Sequence, residues 1–358
     1  MQIAQSKMQE GDVDYVFLTP DSNMFYVSGY EGEIHERHFF LVISQNQSFF
    51  FVPDLYEKQV RDNTWIEDIR TWSDSEKPRK KLREKLNSPD SDKMLVSEEM
   101  QARFLLDIRK IFSDADFGLA GEVFEQLRIT KSSEEVERIK ESSKIADEVI
   151  EDLREMNEEV VGKTEEELAE VIKEKMSEKG GEEPSFSPTA SSGPNGAKPH
   201  YSYGEKIIRE GEPVVLDFGC YKDHYPSDQT RTLVFGGEPS EKFKEVHETV
   251  RKAQQKAVEK VKPGVKAKEV DKTARKVIEE AGYGGEFIHR TGHGVGLELH
   301  EPPYINQENN QELEEGMVFS VEPGIYIEGE FGVRIEDLVV VTEDGCKHLN
   351  ETDRSWNC

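Results

Sequence analysis

Four carboxylates and one imidazole between residues 217 and 336 are the part of this chain best suited to chemistry. They are Asp217 in Val-Val-Leu-Asp-Phe-Gly, Asp228 in Ser-Asp-Gln-Thr-Arg-Thr and His293 in Thr-Gly-His-Gly-Val-Gly. Glu322 follows in Ser-Val-Glu-Pro-Gly and Glu336 in Val-Arg-Ile-Glu-Asp. Gathered at one point, four carboxylates and a neutral imidazole carry a formal charge of −4. A protein interior does not tolerate that much unpaired charge. Two divalent cations supply +4 and are hard acceptors suited to oxygen ligands. The set therefore reads as a dinuclear metal centre of a hydrolase.

Taken singly, each signal is weaker. Asp217 closes an apolar run and Asp228 opens the next one 11 residues later, with Lys222-Asp223-His224-Tyr225-Pro226 as the turn between them. A hairpin of that length brings both carboxylates to one face. An aspartate before a turn, however, more often caps backbone amides. The glycines around His293 free the backbone to pass close to a metal site, although a lone histidine is more often structural. Gly292-His-Gly294-Val-Gly296 lacks the spacing of a dinucleotide loop. His300-Glu301-Pro302-Pro303 lacks the second histidine of a helical zinc protease motif, and its prolines forbid the helix. Glu322 and Glu336 each read as a carboxylate inside a very apolar strand, where Glu is depleted. For each one alone, an ion pair with Arg334 or a solvent-facing position competes with ligation.

The elements that must position these groups follow from periodicity. Strands are expected at 14–19, 39–43 and 48–52, the last two joined by a short polar hairpin loop, with helical pieces at 54–62 and 76–87. This is a small α/β domain with a mixed sheet, covering residues 1–124. Ser132 with Glu135 forms a capping box. Val136, Ile139, Ser143, Ala146, Val149, Ile150 and Leu153 then recur at helical spacing. Further helices are expected at 164–178, 240–260 and 267–281, and strands at 213–219, 228–235, 317–323 and 333–341. Residues 125–358 thus read as an α+β domain.

Composition narrows the partners. At 358 residues, two domains are the natural expectation. The net charge of −28 disfavours nucleic acid and acidic membranes as partners. No apolar run approaches the ~18 residues of a membrane span. The N-terminus has no basic start followed by an apolar stretch, so no secretory signal is expected and a cytoplasmic location is. Three cysteines without ligand spacing are expected to be reduced thiols.

The motif set resembles the pita-bread metallopeptidases: prolidase, aminopeptidase P and methionine aminopeptidase. Ser192-Gly-Pro-Asn-Gly-Ala-Lys-Pro-His200 looks like the family's substrate-side loop, and His200 precedes Asp217 by 17 residues as in the proline-specific members. Leu127-Arg-Ile-Thr-Lys-Ser132 with Glu135 looks like the start of the catalytic domain. The preceding 124 residues, including Asp21-Ser-Asn-Met-Phe-Tyr-Val-Ser-Gly-Tyr30, are similar to the N-terminal domain of prolidases and aminopeptidases P. Methionine aminopeptidases lack that domain. His224 departs from the pattern, since relatives often carry Gly there.

The resemblance implies a pita-bread catalytic domain, a curved antiparallel sheet with helices, behind a small α/β domain. It implies that Asp217 binds one metal through both oxygens, that Asp228 and Glu336 bridge the pair, and that His293 and Glu322 complete the other. Water between the ions would ionise near neutral pH and attack a carbonyl that the metals polarise. Glu322 would carry its proton to the leaving nitrogen. His200 and His300 match histidines that steady the oxyanion or the proline end. Arg334 would orient the bridging carboxylate from behind, and His289 would give structural support or touch substrate.

The expected activity is release of an N-terminal residue from an Xaa-Pro bond, a tertiary amide with no N–H. The expected substrate is a small peptide with proline second, either an Xaa-Pro dipeptide alone or a longer chain, and chain length with a compact N-terminal domain leans toward dipeptides or short peptides. Manganese or cobalt is the expected metal, with zinc or iron also suited to the donors, and a homodimer is implied. Three readings compete: a non-catalytic binding protein on the same fold, metal-free creatinase-like hydrolysis, and an aminopeptidase of other specificity. Retention of all five ligands weighs against the first two. The dispersed acidic charge further suggests a salt-rich cytosol, although Lys77-Pro-Arg-Lys-Lys81 weakens that reading. Far-UV circular dichroism should then show more structure in molar salt than in low salt; a fold indifferent to salt would remove the idea.

Overall fold

The computed structural model describes residues 1–86 and 92–358, which form two compact units, Met1–Arg128 and Ile129–Cys358. The expected boundary at 124/125 falls within the helix Gly121–Arg128. That helix buries Val123 and Phe124 in the first unit's own core, which carries the division past its end.

The first unit is built on a six-stranded mixed sheet. In spatial order its strands are Ile69–Trp72, Ser48–Pro53, Phe40–Ser44, Tyr15–Leu18, Lys93–Val96 and Asp116–Leu119. Tyr15–Leu18 pairs antiparallel with Phe40–Ser44 and parallel with Lys93–Val96. Val16 and Leu18 enter one apolar cluster while Tyr15 and Phe17 enter another, so successive side chains serve opposite faces. Burial on both faces explains why the strands read as unbroken apolar runs. The expected helix at 54–62 is a 3-10 turn, Asp54–Tyr56, running into Glu57–Asp62. The one expected at 76–87 is Pro78–Lys85, and residue 87 lies outside the described residues.

In the second unit every strand pair within its sheets is antiparallel. A three-stranded sheet runs Gln229–Val234, Pro213–Phe218, Thr189–Ser192; a five-stranded sheet runs Glu301–Ile305, Gly292–Gly294, Val318–Val321, Asp337–Val341, Cys346–His348. Gly324–Ile327 and Phe331–Arg334 form a separate pair. Four helices pack on these sheets: Ser133–Met156, Glu165–Glu178, Glu241–Lys260 and Ala267–Glu280. Of the apolar face expected on the first, all but Val136 is buried.

The expected strand 333–341 is in fact two strands in different sheets, broken at Ile335 and Glu336. Likewise Val318–Val321 ends before Glu322, and Gly324–Ile327 starts a different sheet after Pro323. Apolar character continues through the break at Ile335 and Glu336, so the sequence reads as one strand where the chain changes sheets; the expected strand 317–323 stops at Pro323, and its last two residues lie beyond Val318–Val321. Both glutamates occupy those breaks rather than strand interiors.

Glu165–Glu178 opens with a capping box, Thr164 Oγ1 accepting from Glu167 N at 3.1 Å while Glu167 accepts from Thr164 N at 2.8 Å. Thr164→Ala should cost about 1 kcal/mol and lower Tm by about 2–4 °C for a unit of this size, read by thermal circular dichroism. An unchanged Tm would show that the cap adds nothing beyond the buried face.

Candidate active site

The hairpin of Pro213–Phe218 and Gln229–Val234 sets the two aspartates. Its register places Thr230 opposite Asp217 and Gln229 opposite Phe218, so Asp228 and Asp217 sit diagonally on one face. Between the strands, Tyr221–Lys222 pairs with Tyr225–Pro226, leaving Asp223 and His224 as a two-residue turn with φ of 48° and 70°. Two consecutive positive φ values favour glycine, so Asp223 and His224 hold a turn conformation that side chains adopt at a cost.

His293 lies on Gly292–Gly294, between the strands Glu301–Ile305 and Val318–Val321. A Cβ on Gly292 would stand 1.8 Å from Ser320 O, and one on Gly294 2.2 Å from Pro302 O. These glycines therefore admit the neighbouring strands; the sequence-based expectation that they make room beside a metal is corrected.

All nine residues singled out from the sequence line one cleft of about 420 Å³. Within it, Asp228, His293 and Glu336 each offer a ligand atom within 4.8 Å of the others, and all three are buried. His293 Nε2 is 3.4 Å from Asp228 Oδ2 and 3.6 Å from Glu322 Oε1. Its Nδ1 lies 3.2 Å from Gly294 O, a carbonyl that only accepts, so this nitrogen carries the proton. In the neutral ring Nε2 then turns a lone pair toward two carboxylates. Such a convergence of acceptors is relieved by a proton or by a positive charge between them, and a divalent cation supplies the latter. Asp217 adds a second observation: its Oδ1 is buried with no hydrogen-bond partner among the described residues. The donor set thus fits divalent metal.

Supporting contacts fix most of these groups. Thr230 Oγ1 donates to Glu336 Oε2 at 2.6 Å, and Glu336 N donates to Thr230 O at 3.1 Å. Ser320 Oγ donates to Glu322 Oε1 at 3.2 Å and accepts from His293 N at 3.1 Å. Arg334 pairs through Nη2 with Asp217 Oδ2, not with Glu336 as expected. The reason is the strand break: Arg334 is the last residue of Phe331–Arg334, and Glu336 lies beyond the change of sheet. Arg334 Nη1 also donates to Tyr326 OH at 2.8 Å. His289 Nδ1 sits 2.7 Å from Arg290 O and Nε2 2.8 Å from Tyr326 OH. The carbonyl again fixes the proton on Nδ1, so Tyr326 OH donates to Nε2. His289 is therefore a support for the Arg334–Asp217 pair.

Electrostatics separates the carboxylates. Burial, then the neighbouring Asp217 and Glu322, holds Asp228 well above the usual carboxylate range. Burial, then Asp228 and Glu322, does the same to Glu336. Burial and Glu322 also raise Asp217 against the pull of Arg334. For Glu322, burial pushes upward, but the positive charge of His293 and His289 in their protonated forms and of Arg334 brings it below its ordinary value. His300, whose ring centroid is 4.2 Å from that of His293, is lowered to about 4 by burial and then by His293 and Arg290. It is neutral at neutral pH.

His200 and His300 are exposed on the cleft wall, where an incoming ligand would meet them. The loop carrying His200 hangs on buried Glu165, which accepts from Ser192 N at 2.7 Å, Ser192 Oγ at 2.8 Å and Tyr201 OH at 2.9 Å. Glu165 was invisible in the sequence, where it reads as one more first-turn glutamate. Thr230, Ser320 and Tyr326 were also missed, although each stands two or four residues from a singled-out acid, the same-face spacing of a strand.

Residues 137–343 match the metallopeptidase family M24, and residues 1–130 match the creatinase/prolidase N-terminal domain. An Xaa-Pro dipeptidase from Pyrococcus furiosus is 37% identical over 348 residues, covering 97% of this chain and 96% of that protein. Among solved structures, a recombinant prolidase from Thermococcus sibiricus superposes with a TM-score of 0.92 at 37% identity, over 99% of this chain and 96% of that one. An X-Pro aminopeptidase from Thermotoga maritima gives 0.84 at 32%, over 98% and 99%. The expected pita-bread domain behind a small α/β domain is the fold of this chain. The buried acid–imidazole cluster and the match along nearly the whole length lead to one assignment: the chain belongs to metallopeptidase family M24 and is an enzyme of that family.

Proposed function

We propose that this enzyme is an Xaa-Pro exopeptidase with two divalent ions held by Asp217, Asp228, His293, Glu322 and Glu336. The carrying observation is the convergence of all five on one cleft, three of them with ligand atoms within 4.8 Å of one another. The names of the Pyrococcus and Thermotoga relatives support proline specificity. Manganese or cobalt suits a carboxylate-rich set with one imidazole. When bound, such ions supply Lewis acidity, lowering the pKa of water and polarising the scissile carbonyl.

The chain's own groups supply the rest. Glu322 is the carboxylate whose surroundings favour the ionised form, so it is suited to accept a proton from water and pass it to the leaving nitrogen. That nitrogen carries no hydrogen in an Xaa-Pro bond, so departure requires proton delivery. Neutral His300 presents an N–H donor to developing negative charge, and His200 faces the same cleft. Arg334, Tyr326 and His289 hold Asp217 in place. A homodimer, implied by the family resemblance, would give a light-scattering mass near twice 41.0 kDa.

With manganese or cobalt added, the protein should hydrolyse an Xaa-Pro dipeptide faster than an Xaa-Pro-Yaa tripeptide. The reverse order would favour an aminopeptidase, and turnover of neither would remove the proline assignment.

Metal removal should expose the carboxylates in the pH dependence of stability. Asp228 and Glu336 have raised folded pKa values, so each binds its proton more tightly folded than unfolded. The stability this contributes is present below the unfolded carboxylate range of about 4 and is lost as pH rises through the raised folded values. The chelated protein should therefore lose Tm as pH rises from the ordinary carboxylate range through the raised folded values, less steeply as Asp228→Asn, and excess manganese should restore wild-type Tm at the higher pH. Equal losses in both proteins would show that the cluster does not carry the effect.

A further inference from the structure

We propose that Arg231 is a positioning residue for the candidate metal ligand Glu336, and that Thr352 and Asp353 of the C-terminal segment hold its guanidinium in place. This rests on the metal-centre reading above. Arg231 follows Asp228 by three residues, and its side chain is fully buried, as is that of Asp337 beside it. Nη1 donates to Glu336 O at 2.6 Å and to Thr230 O at 2.9 Å. Nη2 donates to Asp337 Oδ1 at 2.7 Å, Thr352 O at 3.1 Å and Thr352 Oγ1 at 3.0 Å, while Nε donates to Asp353 O at 3.1 Å.

The placement matters because of the strand break. Glu336 sits where one strand has ended and the next has not begun, so no regular ladder fixes its backbone. Residues 230 and 231 replace that ladder at three points. Glu336 N donates to Thr230 O, Glu336 O accepts from Arg231 Nη1, and Glu336 Oε2 accepts from Thr230 Oγ1. The guanidinium thereby ties Glu336 to the strand that begins one residue after Asp228.

Asp337 and the C-terminal segment complete the fork. Asp337 Oδ2 accepts from Gln254 Nε2 at 2.7 Å and from Arg354 Nε at 2.6 Å. Thr352 Oγ1 accepts from Gln229 Nε2 at 2.8 Å, and Asp147 Oδ2 accepts from Glu351 N at 2.6 Å. Lysine has one nitrogen and cannot reach Thr230 O, Glu336 O, Asp337 and Thr352 together. The planar fork, rather than the charge, is what this position needs.

The test is calorimetric titration of manganese into metal-stripped full-length protein, with circular dichroism confirming the fold. Arg231→Lys should weaken manganese binding by about 10–100-fold, the usual effect of losing a group that orients a ligand, and raise the manganese concentration needed for half-maximal activity. Ile278→Ala, which opens a cavity in the core away from the cleft, serves as the control for lost stability alone. It should lower Tm and leave manganese affinity unchanged. Should Arg231→Lys fail to fold, Thr352→Val takes its place, with a smaller weakening of about 10-fold at most expected. A folded Arg231→Lys or, in its place, Thr352→Val that binds manganese within twofold of wild type overturns the proposal. A wild-type chain that binds no manganese overturns the metal reading itself, and this inference with it.

Discussion

Like charges buried together are what this structure is organised around. Asp217, Asp228, Glu322 and Glu336 face one cleft, and a lone pair of His293 points into the same space. At these separations, mutual repulsion and lost hydration both favour protonation, which is why Asp228 and Glu336 sit so far above their ordinary range. A cluster of that kind persists in a fold only if cations relieve it or if the surrounding frame is rigid enough to bear it. The family membership and the donor geometry point to cations.

The frame is equally specific. Four of the five candidate ligands stand where regular pairing is interrupted or tightly constrained, whereas Asp217 lies within Pro213–Phe218 with Thr230 and Thr189 paired on either side. Asp228 precedes its strand, Glu322 and Glu336 lie in the gaps between sheets, and His293 sits on a three-residue strand whose flanking glycines leave no room for a Cβ. A side chain in a strand interior alternates with its neighbours and spends its backbone on the ladder. One at a break can turn inward, at the cost of backbone groups that need other partners. Thr230 and Arg231 provide them for Glu336, and Thr291 O accepts from Glu322 N at 2.8 Å.

Proton placement is settled by carbonyls. Gly294 O and Arg290 O each accept from an Nδ1, fixing the tautomers of His293 and His289 in the neutral rings. The same device yields opposite outcomes because the far nitrogens face different things: two carboxylates for His293, a phenol for His289. Burial pushes Tyr326 up to about 12, so it stays a donor, and the chain from Arg334 through Tyr326 to His289 is fully paired.

The sequence by itself determined the five acids and bases of the cluster, the histidines and arginine around them, three of the six strands in the first unit's mixed sheet and the main helices of the second. The elements and the five groups followed from residue type, spacing and periodicity, which are local, and the surrounding histidines from the family resemblance. Tertiary structure alone decided where the apolar run 333–341 breaks, because composition stays strand-like through Ile335 while the chain changes sheets, and it decided that Glu322 stands beyond the end of its strand. It also decided that Arg334 grips Asp217, that Glu165 suspends the His200 loop, and that Arg231 joins Glu336 to the C-terminal segment. These partners lie 27 to 122 residues apart in the chain. No pattern along one strand or helix encodes a pairing made only when distant segments pack together.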